Sequence, residues 1–200
     1  MTKNELNVLE FIKIQKINFS FFFVFLFLFS CGQNYQPKPK GFQRYNLPTP
    51  KHETITVSNY YLFEKNKLAK PDLNKELNWL NLSYKKQGAE ILITFKQINT
   101  PNDLLLYINE SYKLINKHKV RASSILETNI NTVNGKHAVL IDIKGEVPSP
   151  FQFITTDSSK NFLRAALYFE RPIKGDSISP VVDYLKKDMI HILNTLQWNE

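Results

Sequence analysis

Hydrophobic positions change their spacing several times along the 200 residues, and each change marks a boundary. An apolar run from Phe19 to Phe29, broken only by Ser20, comes first. A stretch without periodicity follows it, up to residue 53. From Thr54 the pattern is that of a folded domain. Thr54–Val57 and Tyr60–Phe63 are rich in β-branched and aromatic residues and predict one interrupted strand region. Leu80, Leu82 and Tyr84 alternate on one face, and Ile91, Ile93 and Phe95 resume the alternation. Between them Lys85–Glu90, with Gly88, predicts the turn of a hairpin.

At residue 100 the period shifts from 2 to 3.6. Thr100 suits the N-cap, Pro101 the first helical position, and Asp103 the positive end of the helix dipole. Leu105, Ile108, Tyr112 and Ile115 form the expected buried stripe. Lys117, His118 and Lys119 fall in the last turn, where cations are favoured, so His118 is expected as a helix-end residue and not a ligand. Ser123–Ile130 and His137–Lys144 then read as strands joined through Asn134-Gly135, a strong hairpin signal. Phe151–Thr156 and Phe162–Glu170 form the next pair, around Asp157–Asn161. In the last of these, Leu163, Ala165, Leu167 and Phe169 point one way while Phe162, Arg164, Ala166 and Tyr168 point the other. Two apolar faces predict a central strand covered on both sides. Ser179-Pro180 opens a second helix with the stripe Val182, Leu185, Met189, Ile192 and Leu196, and Trp198 is expected to plug its end. His191, one position off that stripe, is expected as a partly buried packing residue.

Hairpin, helix, four antiparallel strands, helix is an α+β order: an antiparallel sheet flanked by two main helices. It resembles the PsbP/Mog1-like fold, with a cystatin-like sheet curling around one helix as the alternative. Composition is consistent with one such domain: 42% hydrophobic residues exclude global disorder, and 6 Gly with 10 Pro exclude collagenous or low-complexity chains. The one cysteine excludes an internal disulfide framework and a Cys-based zinc site.

That cysteine changes the reading of the first thirty residues. The apolar run behind Lys13 and Lys16 is too short to span a bilayer and matches a secretory signal segment. Leu28-Phe29-Ser30-Cys31 resembles the lipobox of bacterial lipoproteins, in which the cysteine is acylated and becomes the first mature residue. A buried thiol in a core helix is the alternative. Residues 1–30 are therefore expected as a lipoprotein signal peptide, 31–53 as a Pro/Lys-containing tether, and 54–200 as a single α+β domain. Acyl chains on Cys31 contribute about 0.8 kcal/mol per buried methylene, enough for durable membrane anchoring. The net charge of +8 has one common use in nucleic-acid binding, which an exported chain excludes. Near the tether, Lys38, Lys40, Arg44 and Lys51 suit either a solvated linker or anionic lipid.

Candidate chemistry is sparse. There is no glycine-rich phosphate loop, no Gly-x-Ser-x-Gly elbow and no His-Glu-x-x-His. His52, His118, His137 and His191 are scattered, with no pair at metal-ligand spacing. Carboxylate pairs such as Glu127 and Asp142 on neighbouring strands are not by themselves an acid/base couple, and Ser158-Ser159-Lys160 reads as an exposed turn. This is the pattern of a binding module and not an enzyme, with no cofactor and no metal expected.

Three stretches resemble one family: Tyr35–Arg44 with its Pro37-Lys38-Pro39-Lys40-Gly41 core behind the cysteine; Asp142–Gly145, Gln152-Phe153, Thr156–Ser158 and Phe162–Phe169; and Asp176-Ser177 with Pro180, Asp188–His191 and Leu196–Trp198. They are similar to the gliding-motility lipoprotein GldD family of Bacteroidetes. The resemblance implies a lipid-anchored accessory or assembly component of the gliding machinery, coupled to type IX protein secretion, with no catalytic activity. It implies other envelope proteins of that machinery as partners. Pro37, Lys38, Pro39, Lys40, Gly41 and Arg44 are the candidate partner contact, with a plain extended spacer as the alternative. The expected location is the cell envelope, facing the periplasm, on the inner leaflet of the outer membrane in preference to the inner membrane. A periplasmic ligand-binding or hydrolytic lipoprotein on the same fold is the competing reading.

Overall fold

The computed structural model describes residues 45–57, 59–74, 79–170 and 178–199. The signal segment, Cys31 and the block from Pro37 to Arg44 lie outside these residues, as do Asp176 and Ser177. Within them the chain runs β1 (His52–Thr56), β2 (Tyr61–Asn66), β3 (Lys70–Asn74), β4 (Trp79–Tyr84), β5 (Ala89–Gln97), α1 (Pro101–Asn116), β6 (Ala122–Asn131), β7 (His137–Gly145), β8 (Phe151–Thr156), β9 (Asn161–Phe169), α2 (Ser179–Thr195) and β10 (Gln197–Trp198). The α+β class is as expected, but the strands form two sheets. Seven strands are ordered β3-β4-β5-β9-β8-β7-β6, and a smaller sheet is ordered β1-β2-β10. Every pairing among the described residues is antiparallel.

The expected hairpin β4–β5 is present. Gly88 closes its short 3-10 turn at φ 59°, a left-handed conformation that glycine adopts without a Cβ penalty. After β5, α1 carries the chain to the far edge of the large sheet, and β6 to β9 return by hairpins until β9 pairs with β5. Strand β9 is thus the central strand of seven, as its two apolar faces predict. One face, with Leu163, Ala165, Leu167 and Phe169, joins β4, β5, the small sheet and α2 in the larger hydrophobic cluster. On the other, Phe162 packs with Ile141, Ile143, Ile154 and Ile115 of α1.

Four expectations are corrected. Thr54–Val57 and Tyr60–Phe63 belong to two antiparallel strands, not one interrupted strand. Val57 N–H donates to the Tyr61 carbonyl (3.2 Å) where the chain reverses, and Ile55 opposes Phe63. Strand β1 also begins two residues earlier than Thr54. The stripe of α1 differs at its first position only: Leu105 is 62% exposed and Leu104 takes its place, while Ile108, Tyr112 and Ile115 pack against the sheet as expected. The Asp103 carboxylate accepts the N–H groups of Asn99 and Thr100, each at 2.8 Å, and this fixes the start of the helix and so its inward face. Trp198 is not a plug. It lies in β10 beside β2, its ring 6.4 Å from that of Tyr61 and 6.3 Å from that of Phe95. Strand β3, with sequence KPDLN, carries no alternation signal; it is an edge strand, where proline costs no ladder bond inside the sheet.

Candidate functional site

The proposed lipidation residue Cys31 and the candidate contact residues Pro37, Lys38, Pro39, Lys40, Gly41 and Arg44 lie outside the described residues. Where the description begins, Tyr45 and Leu47 already pack against the larger hydrophobic cluster. With Pro48 they line a groove of about 730 Å³ whose remaining lining includes Leu68, Lys70, Lys85 and Lys86 and no carboxylate.

A polar cluster stands between α2 and the strands β1, β2 and β4. Periodicity places Asp188 on the inner side of α2, between Leu185 and Ile192, and it is 2% exposed. Its Oδ2 accepts from Asn66 Nδ2 (2.8 Å) and from the Tyr84 hydroxyl (3.1 Å). Asn66 Nδ2 also reaches the Tyr184 hydroxyl at 3.1 Å. Burial raises the Tyr84 phenol, and the Asp188 charge and hydrogen bond raise it further, so the hydroxyl stays a donor. The second oxygen, Oδ1, lies 3.5 Å from His52 Nε2; neither atom has a hydrogen-bond partner. The His52 ring stacks on His191, centroids 3.7 Å apart, and His191 Nε2 meets Glu64 Oε2 at 2.8 Å. His191 is therefore more than a packing residue, and two of the scattered histidines share one site. No local signal could have joined positions 139 residues apart; the sign available was a charged Asp188 on the apolar side of a helix.

A second cluster surrounds Arg164, the one charged residue of β9. One guanidinium nitrogen, Nη2, donates to Gln152 Oε1 at 2.5 Å, and Gln152 Nε2 donates to Ser149 Oγ at 3.0 Å. Gln152 and Ser149 are fully buried. Burial lowers the guanidinium from its ordinary value. His118 lies nearby, its ring 6.2 Å from that of Tyr168. Burial lowers its pKa and the Arg164 charge lowers it further. His118 does stand at the end of α1, its backbone N–H donating to the Ile115 carbonyl, but it is 8% exposed and desolvation works against its charged form.

The carboxylate pair does not assemble. Strand register sets Glu127 opposite Ile141 and Asp142 opposite Leu126, so the two acids project from opposite faces of the sheet. Glu127 accepts from the Tyr112 hydroxyl (2.7 Å), and Asp142 pairs with Lys186 of α2 (2.5 Å). Ser158-Ser159-Lys160 is an exposed turn, held by Asp157 Oδ1, which accepts three successive N–H groups from Ser159 to Asn161. Among the described residues, no hydroxyl or thiol hydrogen-bonds either imidazole of the stacked pair. Nor do three or more His, Cys, Asp or Glu side chains converge as metal ligands.

The geometry defines an α+β domain whose buried polar groups tie helix to sheet and whose remaining chemistry is a cationic groove and an arginine-bearing face. The family profile described as "Gliding motility lipoprotein GldD" matches residues 32–198. The chain belongs to the gliding motility lipoprotein GldD family. A lipoprotein family implies a membrane-anchored location in the envelope. Among the described residues no helix is long and apolar enough to cross a membrane. Comparison with curated proteins finds no match.

Proposed function

We propose that this protein is a lipid-anchored accessory subunit of the gliding machinery, acyl-linked through Cys31 and coupled to type IX protein secretion. It works by contact with other envelope proteins of that machinery and catalyses no reaction. The observation that carries this reading is the family match from residue 32 to 198, which takes in the tether as well as the domain. The Pro37–Arg44 block then serves as a recognised segment, because a pure spacer needs only length and stiffness. The mature chain faces the periplasm from the outer membrane, and its fold is a PsbP/Mog1-like variant.

A clean deletion, complemented by the wild type and by Cys31→Ser, tests the reading, with colony spreading and secreted protein scored together. Loss of both, restored by the wild type and not by Cys31→Ser, is expected. A deletion strain that spreads and secretes normally overturns it, and a ligand-binding or hydrolytic lipoprotein becomes the better description.

A further inference from the structure

Arg164 makes no salt bridge among the described residues, and its Nε is buried without a hydrogen-bond partner. The residue as a whole is half-buried, so its charge is partly desolvated with no carboxylate beside it among the described residues, and that is a cost to stability. It is also a built site. Gln152 and Ser149, both fully buried, hold one edge of the guanidinium through successive hydrogen bonds.

Register shows what surrounds it. Trp79 opposes Thr94, Thr94 opposes Arg164, and Arg164 opposes Ile154, so these four side chains form one row on one face. Helix α1 covers the Ile154 end of the row. At the other end Trp79 is 48% exposed. On the same face lie half-buried Leu92, opposite Ala166, and half-buried Tyr168, opposite Glu90. None of Trp79, Leu92 and Tyr168 belongs to either hydrophobic cluster. Glu90 stands four register positions from Arg164, about 13 Å along the strand, which is too far to neutralise it.

A half-buried arginine on one face with an exposed tryptophan and a half-buried tyrosine has the composition of a binding hot spot. We propose that this face of β4, β5 and β9 receives an acidic segment of a partner protein. A Glu or Asp carboxylate of that segment meets the Nη edge of Arg164 end-on, and its apolar neighbours cover Trp79, Leu92 and Tyr168. Charge complementarity selects the occupant: the face offers a partly desolvated cation with no carboxylate among the described residues beside it, and a planar carboxylate can accept from its Nη groups. The inference rests on the protein-contact reading above and gives the partner's chemistry.

The test uses the acylated protein in detergent micelles, with the indole N–H signal of Trp79 read by NMR and Trp198 as the internal control. Acetyl-Phe-Glu-Leu-amide is titrated against acetyl-Phe-Gln-Leu-amide and inorganic phosphate. A saturable Trp79 shift with the Glu peptide, at least about tenfold weaker with the Gln peptide and absent in Arg164→Met, is the expected result. Arg164→Met also leaves the buried Gln152 Oε1 without its donor, so a modest fall in melting temperature is expected, and an unchanged Trp198 signal is the check that the domain stays folded. Equal binding of the two peptides, no shift with either, or a shift with phosphate alone overturns the proposal. So does a folded Arg164→Met protein that still binds the Glu peptide as the wild type does. The peptide titration reads the site alone and the deletion strain reads the motility role alone, so either can fail without the other.

Discussion

Burial pulls the His118 imidazole below its ordinary value, and the neighbouring Arg164 charge adds to the shift. The unfolded chain, titrating near 6.5, therefore takes up this proton at a higher pH than the folded one. The resulting stability is complete above that value and is lost as pH falls through the lower folded pKa. Melting temperature is expected to hold steady above about pH 7 and to decline below about pH 6.5, and His118→Phe should flatten that part of the profile. Asp157 acts in a separate, more acid window. Burial alone would raise its carboxyl, but the N–H groups of Asn161, Lys160 and Ser159 outweigh burial and hold it below the ordinary value. Its contribution is present above about pH 4 and fades below. Asp188 is the residue whose loss should cost most. Asp188→Ala leaves the Tyr84 hydroxyl and the Asn66 amide without their shared acceptor, an expected loss of about 3 kcal/mol in urea unfolding. Asp188→Asn, which keeps one acceptor oxygen, should lose clearly less.

At the scale of elements, the glycines in and before β7 separate two kinds of turn. Gly145 has φ 125°, and a Cβ there would lie 2.4 Å from the Arg121 carbonyl oxygen, where β6 enters with a register shift at Ala122/Ser124. Gly135, at φ 72°, has open space around it. Gly145→Ala is expected to cost about 3 kcal/mol in denaturant unfolding, and Gly135→Ala about 1. Equal losses would mean that the close approach at Gly145 relaxes freely. Asn134-Gly135 was legible beforehand because that dipeptide encodes its turn, and the Asn134 amide in fact donates to the Asn194 carbonyl at the end of α2. Helices α1 and α2, the β4–β5 hairpin and the central β9 were also legible, since each carries its own period or cap. The inward residue of the first turn of α1 was not, because Leu104, Leu105 and Leu106 are equally apolar candidates for it. Strand β3 was missed because a polar, proline-bearing edge carries no alternation. The clusters around Asp188 and Arg164 are products of register and crossover, which no local pattern records.

On the scale of the whole molecule, the sheet divides two hydrophobic clusters, one shared with α2 and the small sheet and one with α1. Among the described residues both clusters are built from Tyr45 onward. Replacing Pro37–Arg44 by Gly and Ser should leave the melting temperature unchanged while impairing colony spreading, if that block is recognised. Normal spreading would reduce it to a spacer. The early packing of Tyr45 and Leu47 has a further consequence for reach. If Cys31 carries the anchor, as proposed, not the 23 residues of the expected tether but about 14 separate it from the first packed residue, Tyr45. Fully extended, they span about 50 Å. Covalent geometry would then cap the reach of the domain at that distance from its anchor, and any envelope protein it engages must bring its surface within it.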